Sequence, residues 1–229
     1  MNKLLRPARF ASPSWPYVLP FASYLLMLAA AANLPGGAAV HYPLRVAVVA
    51  AVLLACSRPV LRLKPSRWFS SAMLGVAVFL AWIAPDLLWP AYRSHWLLQN
   101  PLTGAVASSI SSPARSDPWF LAVRVSGAVL LVPIVEELFW RAWMLRYIVS
   151  RHFERLPMGT ATAASFWLTA FLFASEHGPY WDVGLAAGIA YNWWMMRTRS
   201  LADCILAHAV TNACLAAYVL AAGRWQYWL

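Results

Sequence analysis

The chain has 229 residues, of which 62% are hydrophobic and only 11% are charged, and its formal net charge is +10. Soluble domains carry charge on about a quarter of their residues, so this chain has too few charged side chains to cover a water-facing surface. The composition excludes an ordinary soluble domain. It indicates an integral membrane protein whose first partner is the lipid bilayer.

The basic residues and the cysteines do not indicate other kinds of site. Lys and Arg lie between apolar runs and do not alternate with exposed aromatic residues in one patch, so we expect no nucleic-acid partner. Cys56, Cys204 and Cys214 lie singly in apolar segments. This pattern favours neither a disulfide framework nor a cysteine zinc site.

Seven apolar segments come near the length of a membrane-spanning helix, roughly 17 to 25 residues. They predict an all-α fold, a polytopic transmembrane bundle of about seven helices. The segments are residues 17–34, 41–56, 69–89, 119–145, 159–175, 183–196 and 201–222. Because the second and sixth are short, we expect them to be recessed in the bundle or to end in thinned bilayer.

The basic residues give an independent test of this count, because cytoplasmic loops are enriched in Lys and Arg. With the N-terminus inside, the cytoplasmic ends hold most of them, beginning with Lys3, Arg6 and Arg9. The outer ends hold Arg45, Arg93, Arg115, Arg124 and Arg224. This predicts a multi-pass protein of a bacterial-type inner membrane with a cytoplasmic N-terminus. The first segment is also compatible with a cleaved signal peptide, and that alternative stays open.

One long connection divides the chain. We expect residues 1–118 to hold the N-terminal transmembrane helices and an external loop, and residues 119–229 to form a catalytic transmembrane core. The connection runs from Tyr92 to Pro118, and its Ser-, Pro- and Gly-containing part, Thr103 to Pro118, is predicted to be flexible and exposed. A plain linker is the first interpretation and a lid the second.

Two of the eight acidic residues, Glu136 and Glu137, lie inside the fourth segment. Adjacent carboxylates in a membrane are costly and mark functional sites. At about 100° per residue, Glu137 and Arg141 share a helix face and can form an ion pair, whereas Glu136 lies about 140° from Arg141. We therefore expect Glu136 to be the free carboxylate, able to accept a proton.

Two histidines, together with Glu136 and Asn212, make up nearly the whole polar content of three apolar segments in this half of the chain. His177 ends the fifth segment, and His208 and Asn212, four residues apart on one helix face, lie in the seventh. Polar groups in a bundle interior face one another because lipid offers them no hydrogen bonds. An antiparallel hairpin would bring Glu136 and His177 to similar depth. We expect these four residues to converge.

The ordered set Glu-Glu-x-x-x-Arg, Phe-x-x-x-His and His-x-x-x-Asn resembles the motifs of the CAAX protease and bacteriocin-processing (CPBP, or Abi) family of intramembrane endopeptidases. The resemblance covers roughly residues 120 to 220. The small size and aromatic-rich segments are also similar to the CAAX-protease-related proteins found with bacterial exosortase systems. The motif residues here are Glu136, Glu137, Arg141, Phe173, His177, His208 and Asn212.

The resemblance implies a peptidase and gives each position a role. Glu136 would act with His177 to activate water for attack on a peptide carbonyl. His208 and Asn212, as neutral donors, would stabilise the oxyanion. The supporting residues would be Glu137, Arg141 and Phe173. The implied substrate is a hydrophobic or lipidated peptide at the membrane, and the oligomeric state is not encoded.

In this metal-free mechanism no cofactor is required, but a metalloendopeptidase is an alternative. Glu136, His177 and His208 also make a reasonable set of zinc ligands with one position open for water. Two other functions compete with proteolysis. A non-catalytic scaffold or assembly factor could keep the polar cluster for helix registry, and a small proton-linked transporter could use it as a relay. The chain lacks the inverted repeat that favours a transporter.

Overall fold

The computed structural model describes residues 12–31, 33, 35 and 37–228. Lys3, Arg6 and Arg9, three of the basic residues from which the orientation of the N-terminus was predicted, lie outside the described residues. The described part contains no β-strand and is dominated by long helices. These are α1 (Trp15–Ala31), α2 (Gly37–Cys56), α3 (Trp68–Leu88), α4 (Pro118–Tyr147), α5 (Ala163–Ser175), α6 (Trp181–Thr198) and α7 (Leu201–Ala222).

Each of the seven apolar segments corresponds to one of these helices, which confirms the all-α class and the helical membrane bundle. Four of them, α2, α3, α4 and α7, are long and apolar enough to cross a membrane. The helices α1 and α5 are apolar but shorter, with 17 and 13 residues. The expectation of a short second helix was wrong, because α2 begins at Gly37 and reaches 20 residues.

The fifth helix is shorter than predicted for a local reason. Gly159 has a φ of +77°, a left-handed backbone conformation that ends any regular run there. The helix begins only after Thr162, whose side chain accepts from the Ser165 backbone N–H at 3.1 Å, while Ser165 Oγ accepts from the Thr162 N–H at 2.9 Å. This reciprocal capping box fixes the start of α5.

The helices α3 and α7 pack closely and form one wall of the site. Gly75 allows the approach, since a Cβ atom there would lie 2.4 Å from the Ala207 carbonyl oxygen. Thr211 Oγ1 donates to the Gly75 carbonyl at 2.8 Å. At the start of α3, the Asp203 carboxylate accepts from the Arg67 backbone N–H at 2.8 Å. These bonds fix the register of α7, the helix that carries His208 and Asn212.

Most of residues 103–118 are exposed, as predicted, but two apolar side chains anchor the loop. Ile110 and Ala114 are buried, with 2% and 5% of their surface exposed, in a cluster with Phe120 and Trp228. The Ser109 N–H also donates to the Trp228 carbonyl at 3.1 Å. Burial of these apolar side chains and the added backbone bond hold the loop against the helix ends.

The helix α4 is not a regular α-helix. Residues Gly127–Leu131 and Leu138–Met144 form π-helical turns, in which the backbone bonds run from i to i+5. The Glu136 and Glu137 pair lies in the short α-helical part between them, Val132–Glu137. Such π segments often occur at functional sites, because they release backbone groups and turn side chains away from the α-helical register.

Candidate active site

One cavity collects the four residues that were expected to converge. It is lined by Glu136 of α4, His177 after α5, and His208 and Asn212 of α7, and it contains about 780 Å³ of space free of protein atoms, its open mouth included. Further lining residues include Tyr24, Trp82, Arg124, Tyr191 and Trp228. The convergence predicted from the sequence is confirmed.

Glu137 is turned away from this cavity into the protein. Its Oε1 accepts from Arg141 Nη1 at 3.1 Å, and neither side chain has any exposed surface. The Arg141 guanidinium also lies 4.2 Å from the centre of the Phe173 ring. The predicted ion pair is therefore confirmed, and Phe173 packs against it.

Glu137 has a second partner that the sequence did not indicate. His208 Nδ1 lies 2.9 Å from Glu137 Oε1. An ionised carboxylate only accepts hydrogen bonds, so Nδ1 carries the hydrogen and donates. In the neutral ring Nε2 then has a lone pair and no hydrogen. Donation from Nε2 into the cavity therefore requires a protonated ring, and the role of His208 as an oxyanion donor stays a prediction.

His177 is held in a similar way by backbone. Its Nδ1 donates to the Phe173 carbonyl at 2.9 Å, because a carbonyl oxygen can only accept. The ring lies between two aromatic rings, with centroid distances of 4.7 Å to Phe173 and 5.2 Å to Trp82. Nε2 is consequently the nitrogen that can accept a proton.

Glu136 differs from Glu137 in making no hydrogen bond within the described part of the chain, whereas Glu137 Oε1 has two partners and only its Oε2 has none. Glu136 Oε2 is buried. Glu136 and His177 line the same cavity. A carboxylate and an imidazole nitrogen that both face one cavity can bind a water molecule and remove its proton.

Asn212 is oriented by the first π segment of α4. The Val132 N–H donates to the Gly127 carbonyl, and the next residue, Pro133, has no N–H to offer. The Ala128 carbonyl therefore lacks its helical donor, and Asn212 Nδ2 donates to it at 2.8 Å. One amide hydrogen of Asn212 is used in this bond, which leaves the other free to donate elsewhere.

Arg93 clamps the segment that carries His177. Its Nε donates to Asp86 at 2.7 Å and its Nη1 to the Pro179 carbonyl at 2.9 Å, and it also pairs with Asp182 at the start of α6. Burial lowers the pKa of this guanidinium, but the two carboxylates outweigh it and raise the pKa above its ordinary value. The clamp is therefore charged.

Replacing Arg93 by methionine should leave Asp86 and Asp182 half-buried without a cation. We expect the free energy of unfolding to fall by about 3 kcal/mol or more, together with turnover, because the His177 segment loses its anchor. Thermal unfolding in detergent measures the first effect. Arg224→Met, at an exposed residue, is the control and should unfold like the wild type.

Gly184 makes room for the His177 ring. A Cβ atom at Gly184 would lie 3.1 Å from His177 Cγ and Nδ1. Gly184→Ala should raise the helix propensity of α6 and still lower turnover, by about 100-fold if the ring is displaced by an ångström. Peptide turnover and thermal unfolding, measured together, check this, and wild-type turnover would contradict it.

The arrangement of the His, Cys, Asp and Glu side chains bears on the zinc alternative. Among the residues that the structure describes, no group of three or more His, Cys, Asp or Glu side chains could hold a metal ion. Glu136, His177 and His208 face one cavity but do not form a ligand set in this arrangement. The metal-dependent mechanism stays a prediction, which assays with a chelator and added zinc would test.

Two aromatic residues of the site were not found from the sequence. The Tyr191 ring stacks on His208 with centroids 5.0 Å apart, and its hydroxyl donates to Thr211 Oγ1 at 2.7 Å. Trp82 contacts His177. The chain has 14 Trp and 9 Tyr, so composition cannot separate these two from aromatic residues that face lipid.

Comparison with known proteins gives one family. Residues 118–214 match the family model described as type II CAAX prenyl endopeptidase Rce1-like. The matched region contains α4, α5 and α6 and the part of α7 with His208 and Asn212. Neither the curated proteins nor the solved structures give a significant match.

Proposed function

Residues 118–214 match the Rce1-like family of type II CAAX prenyl endopeptidases, which supports a relation to the CAAX protease and bacteriocin-processing family, and from this premise we propose that the chain is an intramembrane endopeptidase. The substrate would be a hydrophobic or membrane-associated peptide, and the nucleophile a water molecule activated by Glu136 and His177. The family implies a CAAX-type peptidase. The roles of Glu136 and His177 and the nature of the substrate are what we propose.

The observation that carries the proposal is the free carboxylate of Glu136. Glu136 lines the cavity and makes no hydrogen bond within the described chain, although a buried carboxylate is costly to leave unpaired. Glu137, one residue later, is paired twice. A protein that needed this region for packing alone would gain nothing from the second carboxylate, whereas a hydrolase needs a base there.

The proposed step runs as general base catalysis. Glu136 takes a proton from water while the water oxygen bonds to the peptide carbonyl carbon, with His177 Nε2 accepting the second water hydrogen as a hydrogen bond. The carbonyl oxygen becomes an oxyanion. When the C–N bond breaks, the proton held by Glu136 passes to the departing amine, so that charges and atoms balance.

The oxyanion would be stabilised from α7. Asn212 has one amide hydrogen left after its bond to the Ala128 carbonyl. His208, once protonated, donates from Nδ1 to Glu137 and from Nε2 toward the cavity. Preorganised donors of this kind are worth several kcal/mol in a water-poor site.

A scaffold function is the second candidate, and one observation favours it. The buried group of Glu137, Arg141 and His208 connects α4 to α7 and would hold these helices together with or without chemistry. In that case Glu136→Gln should change the unfolding temperature and no turnover should be detectable.

The test is hydrolysis of a quenched library of apolar peptides by the purified protein in detergent. Wild type should cleave, and Glu136→Gln, His177→Ala and His208→Ala should not, at equal amounts of folded protein. Each is assayed with and without a chelator and added zinc. Loss of wild-type turnover with chelator and its rescue by zinc would replace the metal-free mechanism with a metal-dependent one.

A further inference from the structure

Two arginines beside the cavity have no acidic partner among the residues that the structure describes. Arg45 of α2 and Arg124 of α4 both face the Tyr42 ring, with guanidinium carbons 4.9 and 4.6 Å from its centre. All eight acidic residues of the chain lie in its described part, and none pairs with either arginine. Arg45 Nε is also buried without a hydrogen-bond partner.

An anion beside the two guanidinium groups would make this arrangement more favourable. Because both guanidinium groups contact the same Tyr42 ring, they lie close to each other. Like charges repel one another, and the repulsion grows where water is scarce. Contacts with aromatic rings offset part of the cost but do not neutralise the charge. A guanidinium pair offers several donors to a single carboxylate or phosphate group.

Arg124 connects this pair to the candidate active site. It lines the cavity that holds Glu136, and it also lines a neighbouring groove with Arg45 and Tyr42. Along α4, Arg124, Ala128, Val132 and Glu136 all line the cavity. The twelve residues from Arg124 to Glu136 correspond to about 18 Å of helix, a distance that about five residues of a fully extended peptide would span.

We propose that Arg45 and Arg124 form a subsite for a carboxylate of the peptide substrate, either its C-terminus or an acidic side chain, a few residues from the bond that is cleaved. The inference rests on the proposed peptidase function. A lipid phosphate is the competing ligand. The peptide is favoured for two reasons. Arg124 lines the cavity itself, and both arginines lie about two helical turns after the first residue of their helices.

The experiment measures binding, not turnover, so it does not depend on hydrolysis being found. An apolar, fluorescently labelled heptapeptide is prepared in three forms: free acid, C-terminal amide, and amide ending in glutamate. Affinities are measured for the full chain in zwitterionic detergent, as wild type, Arg45→Gln, Arg124→Gln and Arg224→Gln. Arg224 is exposed and serves as the matched control.

Wild type and Arg224→Gln should bind the free acid at least about tenfold more tightly than the plain amide. Arg45→Gln and Arg124→Gln should each reduce that ratio toward one. The amide ending in glutamate shows whether a side-chain carboxylate is also accepted. Comparing acid and amide on the wild type keeps the test valid even if a variant does not fold.

Equal affinity of wild type for the acid and both amides would overturn the proposal, and so would no binding of the acid. A ratio that survives in both arginine variants would overturn it too. A further series adds phosphatidylglycerol to the micelles. Arginine-dependent binding of this lipid, without any distinction between acid and amide peptides, would assign the pair to a lipid phosphate instead.

Discussion

Glu136→Gln is expected to lower peptide turnover by roughly 100- to 10,000-fold, the usual contribution of a general base. The amide keeps the shape of the side chain but cannot take a proton from water. The free energy of unfolding should not fall, since Glu136 Oε2 has no partner to lose in the described chain and a neutral amide costs less to bury. Initial rates and thermal unfolding are measured on the same preparation.

Loss of activity without loss of stability separates a catalytic carboxylate from a structural one. A Glu136→Gln protein that unfolds at a much lower temperature would instead indicate a structural role. Unchanged turnover in the folded variant would remove Glu136 from the mechanism.

Glu137→Gln is expected to have the opposite pattern, with a large loss of stability. The substitution leaves the Arg141 charge buried without its counterion and weakens the bond from His208 Nδ1. Removing one partner of a buried pair costs about 3 to 5 kcal/mol. The free energy of unfolding in detergent should fall by that amount.

A double variant makes this prediction sharper. Glu137→Gln with Arg141→Met removes both charges and should be more stable than Glu137→Gln alone, because no unpaired charge remains. Glu154→Gln is the control, since Glu154 pairs with Arg155 at 3.8 Å on the exposed surface and should cost at most about 1 kcal/mol. A double variant no more stable than the single one would refute the pairing argument.

The helices could be predicted from the lengths of the apolar segments. The convergence of the site could be predicted because very few charged or polar side chains lie within those segments. Glu136, His177, His208 and Asn212 were found because lipid cannot satisfy polar groups, which leaves them only one another. The Glu137–Arg141 pair followed from helical spacing. Its geometry survives even though π-helical winding begins at Leu138.

Other features depend on contacts that no local pattern encodes. The π segments of α4 and the release of the Ala128 carbonyl depend on Pro133 acting together with tertiary packing. The bond from His208 to Glu137 joins residues 71 positions apart. Arg124 was interpreted as a topology signal, and regular α-helical winding would place it about 120° from Glu136. Both residues line the cavity in a helix whose π segment, Gly127–Leu131, lies between them.

The most direct measurement of the central claim compares Glu136 with a second carboxylate, that of Glu176, which directly precedes His177 in the chain. Glu136 faces the cavity, whereas Glu176 is exposed and accepts from Trp140 Nε1 at 3.2 Å. Peptide turnover is measured for Glu136→Gln and Glu176→Gln at matched unfolding temperature. We expect Glu176→Gln to retain wild-type turnover and Glu136→Gln to lose at least about 100-fold; equal turnover of the two variants would contradict the assignment of Glu136 as the base.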